Sequence, residues 1–231
     1  MQYMTTKNIR DELAHKFVKG EFITDKSGVK TIELAPVMFK ADEALIFGKL
    51  NEDYIERELA WYLSESRYVA DIPGKTPAIW EAVADENGMI NSNYGWAIFS
   101  EDNGNQFANV LMHLANDPNT RRANMIYTRP SMHTDYNANG MSDFMCTNNV
   151  QYQIRDGKLN AVVHMRSNDA IFGYRNDWAW QDYVLKRLVD KLQAHEVMVE
   201  KGDIYWCTDS LHIYERHFPM VEKFIATGSI E

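Results

Sequence analysis

The chain has 231 residues and a formal net charge of −9, and this acidic balance argues against a nucleic-acid backbone as a direct partner. No apolar run approaches the roughly 20 residues that span a bilayer, so we expect no membrane segment. Cys146 and Cys207 are the only cysteines, which is typical of a cytoplasmic protein without disulfides. The composition does not shift along the chain, and we expect a single domain over residues 1–231.

The first part of the chain is predicted to form a helix followed by a hairpin. Apolar residues recur at helical spacing over residues 8–19, which predicts an amphipathic helix. The turn at 25–28 joins two short apolar segments and carries Lys26 at its bend. We expect the Lys26 ammonium to be solvated unless an anion lies opposite it.

A second helix is predicted from Asn51 to Glu65, and it carries Glu58 beside its apolar face. A carboxylate in this position has two interpretations. It is either a structural group with a satisfied hydrogen-bond partner, or a group whose pKa is tuned for proton transfer. The apolar positions of the helix are Tyr54, Ile55, Leu59, Tyr62 and Leu63.

Three more elements are predicted between the second helix and the centre of the chain. Pro77 is a favourable first residue for a helix over 77–83, which contains Trp80. Residues 91–96 are polar and aromatic and are predicted to form a loop that lines a pocket. Apolar spacing predicts a further helix over 105–116.

Two adjacent arginines, Arg121 and Arg122, precede a predicted strand at 123–127. Arginines in such a position are usually solvated. Their guanidinium groups also match the oxygens of a phosphate, so phosphate binding is the alternative interpretation.

The centre of the chain is predicted to be a β-hairpin. Apolar and polar residues alternate on both sides of Asp156-Gly157, a dipeptide that favours a two-residue turn. Cys146 precedes the first strand and Arg166 follows the second, so antiparallel pairing is expected to bring the thiol close to a permanently charged guanidinium. Such a charge favours the thiolate, which is the nucleophilic form of cysteine.

After the hairpin, apolar spacing predicts a helix over 178–192, for which Asn176 or Asp177 is a suitable N-cap. His212 and Tyr214 lie in the last part of the chain, in a segment that follows a short predicted strand. No spacing of histidines, cysteines and acids matches a zinc or iron site, and the sequence has no glycine-rich phosphate loop. We therefore expect no metal and no nucleoside-triphosphate chemistry.

Two sets of residues point to a known family. The first set is Cys146, the turn at 156–159, the quartet 166–169, Gly173 and the segment 211–214. The second set is four longer runs, at 28–33, 91–98, 127–132 and 141–148. These residues resemble the thymidylate synthase family and, within it, the deoxycytidylate hydroxymethylase branch of phages. The resemblance implies an α/β (α+β) fold with a mixed β-sheet and flanking helices, in which one sheet face forms the interface of a homodimer. For a phage-encoded member it also implies the host cytoplasm as the place of action.

The resemblance assigns roles to the polar residues. Cys146 is expected to attack C6 of a pyrimidine nucleotide, after which C5 takes a one-carbon unit from the co-substrate 5,10-methylenetetrahydrofolate. The phosphate is expected to be bound by Lys26, Arg166 and Ser167, and by Arg121 and Arg122 from the partner subunit of the homodimer. The rest of the nucleotide is expected to contact His212, Tyr214 and Asp169. The folate is expected to contact Trp80, Asp169 and Gly173.

Asp177 distinguishes this chain from the synthases. They have an asparagine at this position that reads uracil, whereas a carboxylate suits the N4 amino group of cytosine. The resemblance therefore implies dCMP as the nucleotide. The helix-cap interpretation of Asp177 stays open beside this one.

The same resemblance leaves two fates for the one-carbon unit, because hydride gives a methyl group and water gives a hydroxymethyl group. A closed, dry site favours the hydride. The sequence ends at Glu231 without the apolar tail that closes over folate in the synthases, and Glu58 is a carboxylate able to orient water. We therefore predict hydroxymethylation of dCMP, with Cys146, Glu58 and Asp177 as catalytic residues. The alternatives are a dCMP C5-methyltransferase of the same fold and, more remotely, a non-catalytic nucleotide-binding protein.

Overall fold

The computed structural model describes residues 3–25 and 28–231, in which strands and helices are mixed along the chain. None of the helices in these ranges is long and apolar enough to cross a membrane. The strands are β1 Met4–Thr5, β2 Ile23–Thr24, β3 Lys30–Leu34, β4 Val37–Lys40, β5 Asn124–Ile126, β6 Thr147–Arg155, β7 Lys158–Met165, β8 Asn168–Asp169, β9 Glu200–Thr208 and β10 Leu211–Tyr214. The helices are α1 Thr6–Lys19, α2 Glu52–Leu63, α3 Ala78–Val83, α4 Tyr94–Phe99, α5 Gln106–Asn116, α6 Met132–Asp135, α7 Phe172–Ala194 and α8 Phe218–Thr227.

The chain divides into two compact units, which are described separately. Unit 1 contains the described residues of Met1–Leu50 together with Leu159–Arg187 and Lys201–Glu231. Unit 2 contains Asn51–Lys158 and Leu188–Glu200. The expectation of a single domain over residues 1–231 stays a prediction.

One sheet of unit 1 has the strand order β2-β3-β10-β8. β10 is antiparallel to β3, with His212 opposite Glu33, and parallel to β8, with His212 opposite Asp169. Helix α1 packs against β3 and α8, and its fully buried Ile9 and Leu13 confirm the predicted apolar face. This sheet therefore places His212 between two acidic residues on the neighbouring strands.

The other strands of unit 1 lie in the order β1-β4-β9-β7. β4 and β9 are antiparallel with Phe39 opposite Trp206, and both of these side chains are fully buried. The ring of Tyr174, on α7, lies 5.9 Å from the Phe39 ring and 5.2 Å from the Trp206 ring. Its hydroxyl donates to the backbone oxygen of Glu43 over 2.8 Å. These contacts fix the first turns of α7 on the strands of unit 1.

Helix α7 begins at Phe172 rather than at the predicted Trp178. Asp177 is therefore the sixth residue of the helix, and the N-cap interpretation of it and of the preceding residue is wrong. The backbone N–H groups of Ile171 and Phe172 donate to the carboxylate of Asp169 over 3.1 and 3.2 Å. The first turn is thus satisfied by an acid that stands earlier in the chain, and the helix can start there.

Unit 2 is mainly helical, with strand β5 packed against α4 and α5 and paired antiparallel to β6. Helices α2 and α4 pack against each other, and Gly95 lies at their contact. A Cβ at that position would lie 1.7 Å from the backbone oxygen of Tyr62, so no other residue type fits. This contact fixes α2, which carries Glu58, within unit 2.

Only part of the predicted loop at 91–96 is a loop, because α4 begins inside it. The side chain of Asn93 accepts from the backbone N–H of Trp96 over 2.7 Å and caps the helix. The backbone N–H group of Asn91 donates to the buried carboxylate of Asp143, also over 2.7 Å. The polar residues of this segment are therefore engaged in the structure of unit 2.

The predicted central turn is confirmed. Asp156 and Gly157 have φ angles of 52° and 72°, and a type I′ turn requires positive φ at both central residues. β6 and β7 flank the turn, as predicted from the alternating apolar residues. Cys146 directly precedes β6 in unit 2, whereas Arg166 directly follows β7 in unit 1. Their proximity stays a prediction.

Candidate active site

In unit 1, Asp177 is held by an amide from the strand that precedes α7. The Nδ2 of Asn168 donates to the Oδ2 of Asp177 over 2.7 Å. Asn168 is 3% exposed, and its Oδ1 has no hydrogen-bond partner within the described ranges. A buried amide oxygen without a hydrogen-bond partner lowers the free energy of unfolding. The pair therefore presents a carboxylate together with an acceptor that is available to a ligand.

Gly173 leaves room for this hydrogen bond. A Cβ added to Gly173 would lie 3.3 Å from the Nδ2 of Asn168, 3.4 Å from the Cβ of Asp169 and 3.7 Å from the Oδ2 of Asp177. The first of these distances is tighter than an ordinary contact, so a side chain at this position would press on the amide. Three predicted site residues, Asp169, Gly173 and Asp177, thus meet Asn168 at the start of α7.

The environment of His212 favours a neutral imidazole with a defined proton. Burial lowers the pKa of His212 below its ordinary value, against the opposing effect of Asp169. Ser210 Oγ donates to the Glu33 carboxylate and lies 3.3 Å from Nδ1 of His212. Because the only hydroxyl proton of Ser210 is engaged with Glu33, Nδ1 is the donor to Ser210. Nε2 is then an acceptor, which can take a hydrogen bond from a hydroxyl group.

The predicted phosphate contacts are spread over both units. Arg166 and Ser167 lie between β7 and β8 and are half-buried. Lys26 lies outside the described residues. In unit 2, Arg121 and Arg122 precede β5 and are both exposed, a position that suits the solvated interpretation and the phosphate-binding one alike.

In unit 2, Glu58 lies within the buried face of α2 and not merely beside it. Its side chain is 5% exposed, and the buried residues around it on the helix are Tyr54, Trp61 and Tyr62. Tyr54 Oη donates to Oε1 of Glu58 over 2.6 Å. The carboxylate therefore has a satisfied partner, as the structural interpretation expected, and it also belongs to a polar chain that continues further.

That chain continues to Trp80, whose Nε1 donates to Tyr54 Oη over 2.8 Å. The Trp80 ring also meets the Trp61 ring edge-on at 5.4 Å, while part of the Trp80 side chain stays exposed. Burial, and then the Glu58 charge, raise the pKa of Tyr54 well above its ordinary value. The Tyr54 hydroxyl therefore keeps its proton and acts as a donor to Glu58.

Three of the runs that carry the family resemblance meet in unit 2, close in sequence to Cys146. Asn91 Oδ1 accepts from Arg129 Nη2 over 2.8 Å, and Asn91 Nδ2 donates to the backbone oxygen of Asp143 over 3.1 Å. The Arg129 guanidinium lies 5.7 Å from the centre of the Trp96 ring. This network fixes the segment that leads to Cys146, whose side chain is half-buried.

Two residues of these clusters, Asn168 and Tyr54, were not predicted from the sequence to have a role. Tyr54 stands four residues before Glu58 on one helix, and this spacing is a signal that could have identified it. Asn168 lies inside the quartet 166–169, but its distance of nine residues from Asp177 matches no regular element. No group of three or more His, Cys, Asp or Glu side chains in residues 3–25 and 28–231 could hold a metal ion.

Comparison with known proteins gives one family. Residues 10–229 match the thymidylate synthase family model. The deoxycytidylate 5-hydroxymethyltransferase of Enterobacteria phage T4 is 56% identical over 227 residues, which cover 97% of this chain and 92% of that protein. The protein of the same name from Enterobacteria phage T2 has the same identity and coverage.

Among solved structures, thymidylate synthase from T4 phage is similar to this chain with a TM-score of 0.76. The identity is 21%, and the match covers 94% of this chain and 80% of that one. This similarity confirms the expected thymidylate synthase-like fold with mixed strands and flanking helices. The use of a sheet face as a dimer interface stays a prediction.

Proposed function

Because the chain belongs to the thymidylate synthase family, we propose that it transfers a one-carbon unit from 5,10-methylenetetrahydrofolate to C5 of dCMP and adds water, giving 5-hydroxymethyl-dCMP. The phage T4 and T2 relatives support this reaction, since they carry its name and match nearly the whole chain. The structural observation that carries the choice of base is the hydrogen bond from Asn168 to Asp177 inside α7.

Asp177 reads the base through its acceptor character. Its Oδ2 accepts an N–H from Asn168, and an amide donor stabilises the ionised form of a carboxylate. The N4 amino group of cytosine donates to such an acceptor, whereas O4 of uracil would set lone pairs against it. The unused Oδ1 of Asn168 adds a second acceptor beside the first.

Cys146 supplies the nucleophile. Its thiolate adds to C6 of dCMP, which makes C5 nucleophilic, and it leaves again when the product forms, so the enzyme is unchanged overall. Arg166 would hold the phosphate and favour the thiolate by its fixed charge. Ser167 and Lys26 complete the proposed phosphate contacts in the same chain.

5,10-Methylenetetrahydrofolate supplies a carbon at the oxidation level of formaldehyde. The residues present suit a folate, because Trp80 keeps part of its ring exposed while its N–H and one edge are fixed by Tyr54 and Trp61. A flat aromatic face held in this way is a stacking surface for an aromatic ring system. Asp169 and Gly173 are the further proposed folate contacts.

Glu58 decides the outcome by orienting water. A buried carboxylate that keeps its negative charge is a general base for a water molecule, and the donor Tyr54 supports that charge. Loss of the C5 proton and release of tetrahydrofolate leave an exocyclic methylene at C5. The proton taken from water passes to Glu58, and the hydroxide equivalent adds to this methylene carbon. The electron pair of the C=C bond returns to the ring and expels the Cys146 thiolate from C6. This is hydration without oxidation or reduction, so the folate is released at the tetrahydro level.

The sugar and the second subunit complete the proposal. Neutral His212 accepts from the deoxyribose hydroxyl through Nε2, with Tyr214 beside it at a ring distance of 4.9 Å. The chain acts as a homodimer in which Arg121 and Arg122 of the partner subunit reach the same phosphate. Mixing the inactive variants Cys146→Ser and Arg121→Ala/Arg122→Ala should restore activity, because one shared site then has all its residues. No recovery from two folded variants that form dimers would contradict shared sites.

The reaction itself is tested by incubating the protein with dCMP and 5,10-methylenetetrahydrofolate and measuring the product mass. We expect 5-hydroxymethyl-dCMP, with no absorbance change from dihydrofolate formation. A methyl product accompanied by dihydrofolate would overturn the hydration step and leave a dCMP C5-methyltransferase. Failure to release tritium from C5-labelled dCMP would contradict any catalytic role.

A further inference from the structure

Three side chains of unit 2 form one directed hydrogen-bond chain, from Trp80 through Tyr54 to Glu58. Trp80 Nε1 and Tyr54 Oη are 2.8 Å apart, and Tyr54 Oη and Glu58 Oε1 are 2.6 Å apart. The second distance is at the short end of the range for a hydroxyl that donates to a carboxylate. All three residues belong to Asn51–Lys158, so the chain lies within one compact unit.

The chemistry of the groups permits one direction only. An indole N–H donates and never accepts, so Tyr54 must be its acceptor. The tyrosine has a single proton, which it gives to Glu58, and the raised pKa of the Tyr54 hydroxyl keeps that proton in place. The orientation of the Glu58 carboxylate is therefore tied to the position of the Trp80 ring.

Burial makes this arrangement consequential. Tyr54 is 9% exposed and Glu58 is 5% exposed, and a carboxylate removed from water needs a donor to remain ionised. On the same helix, Arg57 lies with its guanidinium 5.4 Å from the centre of the Tyr54 ring but forms its ion pair with Asp53. Tyr54 is thus a neutral hydrogen-bond donor to the buried carboxylate.

We propose that Tyr54 is a positioning residue that sets Glu58 for water activation and Trp80 for folate contact through one hydroxyl group. This inference deepens the proposed function and rests on it. It makes the site that binds the folate and the site that activates water mechanically coupled, since neither Trp80 nor Glu58 can shift without changing a bond to Tyr54.

The variant Tyr54→Phe removes the hydroxyl and keeps the ring. We expect kcat to fall about tenfold to a hundredfold, as for loss of a residue that orients a catalytic group, while the KM for dCMP stays within about twofold. The KM for the folate should rise, because the Trp80 indole loses its acceptor. Tyr152→Phe is the matched control, since Tyr152 is a fully buried tyrosine of the same unit whose hydroxyl has no hydrogen-bond partner in the part of the chain that the structure describes.

A double-mutant cycle with Glu58→Gln separates positioning from stability. If Tyr54 acts through Glu58, then Tyr54→Phe should not lower kcat further in the Glu58→Gln background. An equal drop in both backgrounds would overturn the inference, as would a Tyr54→Phe enzyme with the kcat of Tyr152→Phe. If Tyr54→Phe does not fold, Trp80→Phe at saturating folate serves the same cycle, because it removes the N–H at the other end of the chain.

The failure of this inference is distinguishable from failure of the proposed function. A wild-type protein that does not convert dCMP contradicts the proposed function. A wild-type protein that makes 5-hydroxymethyl-dCMP, together with an additive cycle, contradicts only the role of Tyr54.

Discussion

The two carboxylates to which the proposed function assigns the water and the base each accept a hydrogen bond from a neutral side chain, but these donors come from different distances along the chain. In unit 2, Tyr54 reaches Glu58 across one turn of the same helix. In unit 1, Asn168 reaches Asp177 from a strand, across the turn into α7.

The difference between the two pairs has a functional meaning in the proposed reaction. Glu58 is deeply buried, and under the proposed function it would act on water, so its pair would control what happens to the one-carbon unit. Asp177 is only half-buried, and under the proposed function it would distinguish cytosine from uracil. Mutations in the two pairs should therefore change different kinetic quantities, and this gives the following tests.

The largest effect is expected from Cys146→Ser, which removes the step that precedes the action of either carboxylate. Turnover should fall by about four orders of magnitude or more, as for loss of a catalytic nucleophile. Calorimetry should show nearly unchanged dCMP binding, because the phosphate and sugar contacts do not need the thiol. Retained turnover would contradict the role of Cys146. It would also mean that no covalent step precedes the action of the Tyr54–Glu58 and Asn168–Asp177 pairs.

Asp177→Asn is expected to have the next largest effect, which is a change in the preference for dCMP over dUMP. The ratio of kcat/KM for dCMP to that for dUMP should fall by about 10³-fold or more, since an amide can donate to O4 of uracil. Steady-state kinetics with both nucleotides measures the ratio. An unchanged ratio would show that the Asn168–Asp177 pair is structural only.

Glu58→Gln should lower kcat for dCMP by about 10²-fold, the usual contribution of a general base. Unlike Asp177→Asn, it should leave the preference for dCMP over dUMP unchanged. Tritium release from C5-labelled dCMP and formation of 5-hydroxymethyl-dCMP should be measured together. Because hydration is slowed in this variant, we expect less hydroxymethyl product for each tritium released. A change of nucleotide preference in this variant would break the division of roles between the two pairs.

Asn168→Ala tests the donor of unit 1 alone. We expect a loss of about tenfold in discrimination between dCMP and dUMP, because Asp177 loses the N–H donor that orients its carboxylate. Tyr54→Phe is the matched variant in unit 2 and should leave discrimination unaltered. If both donors affected kcat and neither affected preference, the comparison between the pairs would fail.

The smallest effect concerns pH and His212. Burial lowers the folded-state pKa of His212 below the ordinary value of 6.5. Above pH 6.5 neither state binds the proton, but below it the unfolded chain takes it up first, so the free energy of unfolding falls as the pH drops through 6.5 toward the folded pKa. His212→Gln should make this decline shallower in urea titrations. The pKa of His217 is also lowered by burial, so adding His217→Gln should flatten the decline further, and an unchanged slope in the double variant would contradict the assignment.

Much of the fold followed from local pattern. Helices α1, α2 and α5 and the strands beside Asp156-Gly157 lie where the periodicity of apolar residues predicted them, because each depends on spacing within one short segment. The predicted start of α7 was wrong, and so was the end of the loop predicted at 91–96, where α4 begins. Apolar spacing alone does not reveal that the Asp169 carboxylate caps α7. The close approach of Gly95 to Tyr62 at α4 is a contact with another segment.

The same distinction holds for the candidate site. Residue types and the family resemblance identified Cys146, Glu58 and Asp177 before any geometry was known. The four-residue spacing of Tyr54 and Glu58 on one helix also indicates that their side chains are neighbours. The hydrogen bond from Asn168 to Asp177 could not be predicted in this way. Asn168 and Asp177 are nine positions apart, and this spacing specifies no contact until Asp169 caps α7 and Gly173 leaves space for the amide. Periodicity acts over a few bonds, whereas a hydrogen bond between a strand and a helix exists only once both have packed.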